Sequence, residues 1–359
     1  MASRTLVGSW LVASSFAVIA VASPQAAPGA AAPAQAKLAP AAAQEKSPVV
    51  LGAGRHTYEW VKDWMKLPQG MANLGATHGG IVVDAENRIF VSTDTSNSLC
   101  LFDQDGNWLG AVGQELGGGL HGLCIRKEGD QEYIYAAHLS QHEAVKLTLD
   151  GKVVWRILYP KESGIYQKEE EYQPTGIAVL PDGSVIVADG YGTSWLHQFD
   201  ANQKYVKSFG GPGTEVGKFQ TCHGLCLDTR GAKPLLLIAD RHSSRLQHFD
   251  LDGNPVKVWD KELRLPCVPI VENGHGDVVV PDLQGRVTIF DKDMNLVCQL
   301  GDNSDPALRA QFDVKTDRWK VGEFISPHGA AWDHDGNLYV EDWNVLGRVT
   351  KLRRMPAKS

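Results

Sequence analysis

The chain has 359 residues, of which 43% are hydrophobic and 21% are charged, and its formal net charge at pH 7 is −7. No lysine or arginine cluster is longer than Arg353-Arg354, so the sequence argues against binding to nucleic acid or to an anionic membrane surface. The 37 glycines and the repeated Asp-Gly turns are typical of an all-β chain.

The N-terminus predicts a secretory signal peptide over residues 1–23. One charged residue, Arg4, precedes an apolar stretch rich in alanine and serine. This stretch is shorter than a membrane-spanning helix usually requires. Residues 24–47 are rich in alanine and proline and almost lack large apolar side chains, which predicts a flexible leader. We therefore expect an exported protein, periplasmic or extracellular, with no membrane span once the signal peptide is removed.

A repeated pattern of short strands fills the chain from residue 48 to residue 359. Six apolar runs begin 43 to 61 residues apart, and each is followed by further short runs that break at turn residues. The six runs are HGGIVVD from His78, HGLCIRK from His121, TGIAVLP from Thr175, HGLCLDT from His223, CVPIVEN from Cys267 and HGAAWDH from His328. This spacing predicts an all-β, six-bladed β-propeller in which these runs are the inner strands.

The two ends of the propeller are predicted to complete one blade together. The stretch from His56 to Trp64 resembles an outer strand without inner strands, whereas the last repeat ends after three strands. Because a closed ring leaves no strand edge unpaired, we expect the N-terminal strand to be the fourth strand of blade 6.

Three histidines that open inner strands form a candidate metal site. His121, His223 and His328 belong to alternate blades, so they should approach the central channel about 120° apart. Three imidazoles with an open fourth position are the ligand set of a catalytic zinc. The alternative is that each His-Gly pair only opens a strand and bonds a neighbouring loop. His78 breaks the alternation and is expected to be a channel histidine without a metal role.

Other polar residues favour structural roles. Asp189, Asp240, Asp282 and Asp342 end the second strands of their blades and are expected to bond backbone N–H groups of the turn. His138 stands at the same place in blade 2 and is an outlier. For the six cysteines, a disulfide and a buried free thiol both remain open.

Several of these motifs together resemble a known family. DGYGTS from Asp189, CHGLCLD around His223, ADRHSSRLQHF from Ala239, HGLCIRK from His121 and SPHGAAW from Ser326 are similar to NHL-repeat propellers over about residues 70–355. They resemble more narrowly the catalytic propeller of peptidyl-α-hydroxyglycine α-amidating lyase. This resemblance implies that His121, His223 and His328 are zinc ligands, that Tyr191 is the catalytic tyrosine and that Arg241 is an active-site arginine.

The chain departs from the family pattern at four positions. Asp94 lies near the place of a second active-site arginine, and Gly329 replaces a calcium-binding aspartate, so a structural calcium is not supported by the motif. Ser326 and Gly192 replace a methionine and a cysteine.

The resemblance implies an exported zinc-dependent lyase that cleaves the C–N bond of a carbinolamide in a small-molecule or peptide substrate. In that reaction Tyr191 would be the base, with its pKa lowered by the metal and by Arg241, which could instead clamp a carboxylate. Judged from the residues alone, Tyr191 could also be a packing residue of a turn, and Arg241 could pair with Asp240 or Asp189. The alternative function is a non-catalytic NHL propeller that binds a protein or small molecule. We expect a monomer in either case.

Overall fold

A computed structural model describes residues 47–272 and 274–356. The predicted signal peptide and all of the predicted leader except Ser47 lie outside these residues. Within them, 25 β-strands form six antiparallel sheets, which confirms the predicted six-bladed propeller. Among the described residues, no helix combines the length and apolarity that crossing a membrane requires.

Each blade is a meander whose first strand is the inner one. Blade 1 contains β3 (Ile81–Val83), β4 (Ile89–Ser92), β5 (Leu99–Phe102) and β6 (Trp108–Val112). Blade 2 contains β7 (Leu120–Glu128), β8 (Gln131–His138), β9 (Glu143–Thr148) and β10 (Val153–Ile157). Blade 3 contains β11 (Gly176–Val179), β12 (Val185–Ala188), β13 (Trp195–Phe199) and β14 (Tyr205–Gly210).

The remaining three blades follow the same order. Blade 4 contains β15 (Cys222–Asp228), β16 (Leu235–Asp240), β17 (Arg245–Phe249) and β18 (Pro255–Trp259). Blade 5 contains β19 (Ile270–Val271), β20 (Val278–Asp282), β21 (Arg286–Phe290) and β22 (Leu296–Leu300). Blade 6 contains β23 (Pro327–Trp332), β24 (Leu338–Asp342) and β25 (Arg348–Arg354), joined by β1 (Val50–Ala53) and β2 (His56–Val61). Six 3-10 turns lie in the loops, at Gln114–Leu116, Lys161–Ser163, Glu169–Glu171, Arg241–Ser243, Pro306–Leu308 and Thr316–Arg318.

The N-terminal strand closes the ring as predicted. β2 pairs antiparallel with β25, with Tyr58 opposite Arg354 and Val61 opposite Lys351. β1 then adds a fifth strand outside β2, which the sequence did not predict. The closing strand ends at Val61 rather than Trp64. The N-terminal segment therefore contributes two strands to blade 6.

The hydrophobic core is divided among the six seams between neighbouring blades. Blade 4 shows why: Leu236 and Ile238 of β16 pack toward blade 3, whereas Leu237 and Ala239 pack toward blade 5. Successive side chains of a strand point to opposite faces of its sheet, so a strand that is apolar at every position fills two seams. The continuous apolar runs in the sequence correspond to sheets that are covered on both faces.

The aspartates that end the second strands fix the loops leading into the inner strands. A carboxylate oxygen of Asp342 accepts hydrogen bonds from the backbone N–H groups of Ile325, at 2.9 Å, and Ser326, at 2.6 Å. Asp189 accepts one from the N–H of Gln173 at 2.7 Å. These bonds reach beyond the adjacent turn, so the carboxylates also position the residues that begin each inner strand.

His138 has a structural role of the same kind. Its side chain is fully buried, and Nε2 donates to the backbone carbonyl of Leu116 at 2.8 Å, in the loop that leads into β7. The six cysteines are all free thiols, so of the two possibilities left open, the structure has the unbridged one.

Candidate metal centre and active site

The three predicted metal ligands converge on the channel axis. His121 and His223 are each 2% exposed and His328 is 3% exposed, and the three ring centroids are 4.8 to 4.9 Å from one another. Three imidazoles that bind one zinc at about 2.0–2.1 Å along tetrahedral directions would have centroids roughly 5 Å apart. The structure therefore brings the three rings close to one another, but among the described residues their donor atoms do not form one of the sets that lie within 4.8 Å of one another.

The same local geometry places each of the three rings. In β7, β15 and β23 the strand pairing shifts register at the His-Gly pair, so a β-bulge turns the histidine out of the regular alternation. The glycine is required because the neighbouring blade lies against it: a Cβ at Gly122 would lie 2.4 Å from the carbonyl oxygen of Thr175, and one at Gly224 would lie 2.5 Å from that of Cys267.

The carbonyls of the neighbouring blades also fix the tautomer of the three histidines. Each Nδ1 lies at hydrogen-bond distance from a backbone oxygen of the next blade: His121 from Thr175 at 2.6 Å, His223 from Cys267 at 2.8 Å and His328 from Gly79 at 3.0 Å. A carbonyl can only accept, so Nδ1 carries the proton and Nε2 keeps its lone pair. The His-Gly motif thus presents three unprotonated Nε2 atoms.

These residues fit a metal ion. The Nε2 atoms of His121 and His328 are buried and have no hydrogen-bond partner, an arrangement that is costly for a polar atom unless something else binds it. Burial holds the pKa of all three imidazoles well below the usual range of histidine, so they are neutral. Neutral imidazole is the form that binds zinc.

Tyr191 and Arg241 lie directly beside this layer. Tyr191 follows β12 in the Asp-Gly-Tyr turn, and its Oη lies 3.0 Å from Nε2 of His223. Nη1 of Arg241 donates to the same Oη at 3.1 Å, and the guanidinium lies 5.0 Å from the centroid of the tyrosine ring. Asp240 pairs with Arg245 at 2.7 Å, and Asp189 accepts hydrogen bonds from Tyr166, Gln173 and Thr193, so neither of the aspartates considered as a partner pairs with Arg241.

The electrostatic surroundings of Tyr191 differ from the expectation. Burial raises the pKa of the Tyr191 phenol, and the Arg241 guanidinium lowers it by a smaller amount. The net shift is upward, whereas the resemblance led us to expect a lowered pKa. Arg241 acts in the expected direction, but loss of hydration outweighs it because the phenol is enclosed by the histidine layer.

Sequence reasoning gave no metal role to His78, which the structure places among the candidate donors. Donor atoms of His78, His121 and His328 all lie within 4.8 Å of one another, and a second such set consists of His223, Cys267 and His328. Cys267 is the weaker candidate, since burial raises the pKa of its thiol to about 12 and the thiolate is the metal-binding form.

One departure from the family motif, Gly192, has a steric explanation, and a second, Gly329, stands in a tight environment. A Cβ at Gly192 would lie 2.2 Å from a carboxylate oxygen of Asp189, so no side chain fits there. A Cβ at Gly329 would lie 3.1 Å from Oε2 of Glu341, which is fully buried with neither carboxylate oxygen hydrogen-bonded. Burial raises the pKa of Glu341 well above its usual value. The sequence does mark Glu341 as unusual, because the residue at the matching position of blade 3 is an alanine, Ala188, and not an acidic residue.

A cavity of about 680 Å³ extends from the histidine layer along the channel. Its walls combine apolar side chains of the inner strands, including Ile125, Ile177 and Leu225, with polar ones such as Arg126 and Glu272, and its far end reaches Asp335 and Arg354. Neither Tyr191 nor Arg241 lines it. The tyrosine and arginine therefore lie on one side of the layer and the cavity on the other.

Comparisons with known proteins agree with the resemblance inferred from the motifs. Residues 172–199 match the NHL repeat family. Over 142 residues the chain is 30% identical to the peptidylglycine alpha-amidating monooxygenase of Rattus norvegicus, a match that covers 37% of this chain and 14% of that protein. It is 28% identical over 143 residues to a probable peptidyl-alpha-hydroxyglycine alpha-amidating lyase of Caenorhabditis elegans, covering 38% of this chain and 39% of the relative. The similarity thus spans a minor part of each relative.

Solved structures with the same fold include two lyases. A streptogramin B lyase aligns with a TM-score of 0.54 at 12% identity, over 79% of this chain and 95% of that chain. Virginiamycin B lyase from Staphylococcus aureus aligns with a TM-score of 0.52 at 12% identity, over 78% and 95%. At this level of identity the likeness concerns the propeller fold alone.

Proposed function

We propose that the protein is a zinc-dependent lyase that cleaves the C–N bond of a carbinolamide, R–CO–NH–CH(OH)–R′. The observation that carries the proposal is the position of Tyr191 Oη, 3.0 Å from Nε2 of His223 and 3.1 Å from Nη1 of Arg241, against three converging imidazoles. The distant similarity to amidating lyases supports the same reaction.

His121, His223 and His328 would hold the zinc through their Nε2 atoms. When bound, zinc supplies a Lewis acid that makes the substrate hydroxyl more acidic. The chain contributes the orientation of these ligands, because a backbone carbonyl of the next blade fixes each ring.

Tyr191 would move the proton that the reaction transfers. As a phenolate, it accepts the hydroxyl proton of the substrate; the oxygen electron pair then forms the C=O bond while the C–N bond breaks. The leaving nitrogen takes the electron pair of the broken bond and receives a proton from Tyr191, which returns to the phenolate. The products are an amide and an aldehyde, and no other reactant is needed. Arg241 favours the phenolate, because its guanidinium donates to Oη, whereas burial opposes it and leaves the net shift of the Tyr191 pKa upward.

A metal and turnover assay tests this proposal. We expect one equivalent of zinc in the purified mature protein and zinc-dependent release of amide and aldehyde in equal amounts. Single alanine variants of the three histidines should keep the circular dichroism spectrum of the wild type. Their affinity for zinc should be lower by orders of magnitude. His275→Ala is the matched control, since this histidine is exposed and belongs to none of the sets of candidate metal donors. A wild type without zinc, or zinc retained in all three variants, would exclude the site.

The channel cavity supports a second candidate function, binding of a small molecule without chemistry. Its volume of about 680 Å³ lies in the range of a typical ligand pocket, and both apolar and polar groups line it. A protein that lacks zinc and turnover but retains a small molecule through purification would favour this alternative.

Export and a monomeric state complete the proposal. The predicted signal peptide over residues 1–23 supports export. N-terminal sequencing of the protein recovered outside the cytoplasm should begin after residue 23, and light scattering should give the mass of one chain. An uncleaved N-terminus or a dimer mass would contradict these two statements.

A further inference from the structure

His78 lies at the edge of the histidine layer, beside His121 and His328. Its ring centroid is 4.9 Å from that of His121 and 5.3 Å from that of His328. One of its ring nitrogens belongs to a set of donor atoms that lie within 4.8 Å of one another, together with nitrogens of these two histidines. Its side chain is 21% exposed, so it borders the solvent side of the layer.

The surroundings of His78 differ from those of the other three histidines. Their Nδ1 atoms face backbone carbonyls, whereas Nδ1 of His78 lies 3.7 Å from a carboxylate oxygen of Asp94. The backbone of Asp94 is held in place, because its N–H donates to the carbonyl of Ala76 at 2.8 Å. A carboxylate hydrogen-bonded to the second ring nitrogen is the usual outer partner of a metal-binding histidine, since it fixes the ring and raises the basicity of the other nitrogen. At 3.7 Å, Asp94 lies beyond hydrogen-bond distance of His78 in this structure, so its effect here is electrostatic.

We propose that His78 is a fourth ligand of the metal and that Asp94 is its positioning partner. This inference rests on the proposed metal site of His121, His223 and His328. His78 would supply a neutral nitrogen as the fourth ligand in the absence of substrate, and the substrate hydroxyl would then add as a fifth ligand, an expansion that catalytic zinc sites allow. The rival explanation is that His78 only hydrogen-bonds Tyr191, whose Oη lies 3.2 Å from Nε2 of His78.

Metal affinity separates the two explanations. Zinc dissociation constants of the mature protein are measured by competition with a chromophoric chelator, for the wild type, His78→Ala and Asp94→Asn, with His275→Ala as control. We expect His78→Ala to weaken zinc binding by at least tenfold and Asp94→Asn to weaken it by about tenfold or more, as removal of outer partners does at other metal sites. The stoichiometry should remain one zinc per chain.

Cobalt provides a readout that does not depend on affinity or turnover. Visible absorption of the cobalt-substituted protein reports the number and type of ligands, so the bands should shift in His78→Ala and change little in His275→Ala. Dissociation constants within twofold of the wild type, together with an unchanged cobalt spectrum, would overturn the fourth ligand and leave the lyase proposal standing. A wild type that binds no metal would overturn both.

Discussion

Replacing Trp60 by alanine should destabilise the whole propeller, because this residue belongs to the strand that closes the ring. Trp60 is 6% exposed and lies opposite Leu352 in the pairing of β2 with β25. Its ring packs 5.0 Å from that of Phe324, and the guanidinium of Arg348 lies 5.4 Å from its centroid. Substitution removes a large buried surface from the seam between blades 5 and 6.

The magnitude follows from what aromatic truncations cost in protein cores. A buried tryptophan replaced by alanine typically lowers the free energy of unfolding by about 3–5 kcal/mol. Each kcal/mol shifts the melting temperature of a domain of roughly 310 residues by about 1.5 °C, because unfolding entropy is about 2.1 cal/mol/K per residue, so the expected decrease in Tm is roughly 5–8 °C. β2 contributes other buried side chains, including Tyr58, so one substitution should weaken closure without abolishing it.

Urea unfolding followed by far-ultraviolet circular dichroism measures this effect. The matched control is Val50→Ala in β1, because Val50 is 46% exposed on the outermost strand. The control should change the free energy of unfolding by no more than about 0.5 kcal/mol. A decrease below about 1 kcal/mol for Trp60→Ala, or equal effects of the two substitutions, would refute the closing role of β2.

Three further predictions concern the active site and the response to pH. Tyr191→Phe should lower turnover of a carbinolamide by about 10²–10⁴ while zinc content by elemental analysis stays the same. Gly192→Ala places a Cβ 2.2 Å from a carboxylate oxygen in the same turn, so kinetics should show reduced kcat with zinc retained. Burial opposes ionisation of Asp228, but hydrogen bonds from Arg230 and His248 hold its pKa below the usual value. The resulting stabilisation is present above the unfolded pKa of about 3.9 and is lost as pH falls through the folded pKa. Asp228→Asn should therefore destabilise the protein at pH 7, and the difference from the wild type in urea unfolding should shrink below about pH 4.

Local sequence patterns were sufficient to predict the propeller, because each blade is built from contacts within one repeat. The period of the apolar runs identified the six inner strands. The unpaired stretch at His56 identified the closing strand. β1 was missed because Val50 to Ala53 are mostly exposed, so no apolar pattern marks them as a strand.

The convergence of His121, His223 and His328 could also be predicted, since position within a repeat fixes position around the ring. The partners of these residues could not. The pairing of His78 with Asp94 joins different loops, and nothing in the repeat pattern specifies which loops meet. The contact of Tyr191 with Arg241 was expected from the family resemblance and not from the repeat pattern. The upward shift of the Tyr191 pKa depends on burial at that meeting point, so it required the structure.

The most direct test of the proposed lyase is an assay of the zinc-loaded mature protein with a defined N-acyl-α-hydroxyglycine and its neutral ester. Asp94 places a carboxylate beside His78, so both an acidic and a neutral substrate are required. The proposal predicts amide and aldehyde in a 1:1 ratio from at least one of them, faster than in protein stripped of zinc. A protein that holds zinc but releases product from neither substrate above the background rate would contradict it.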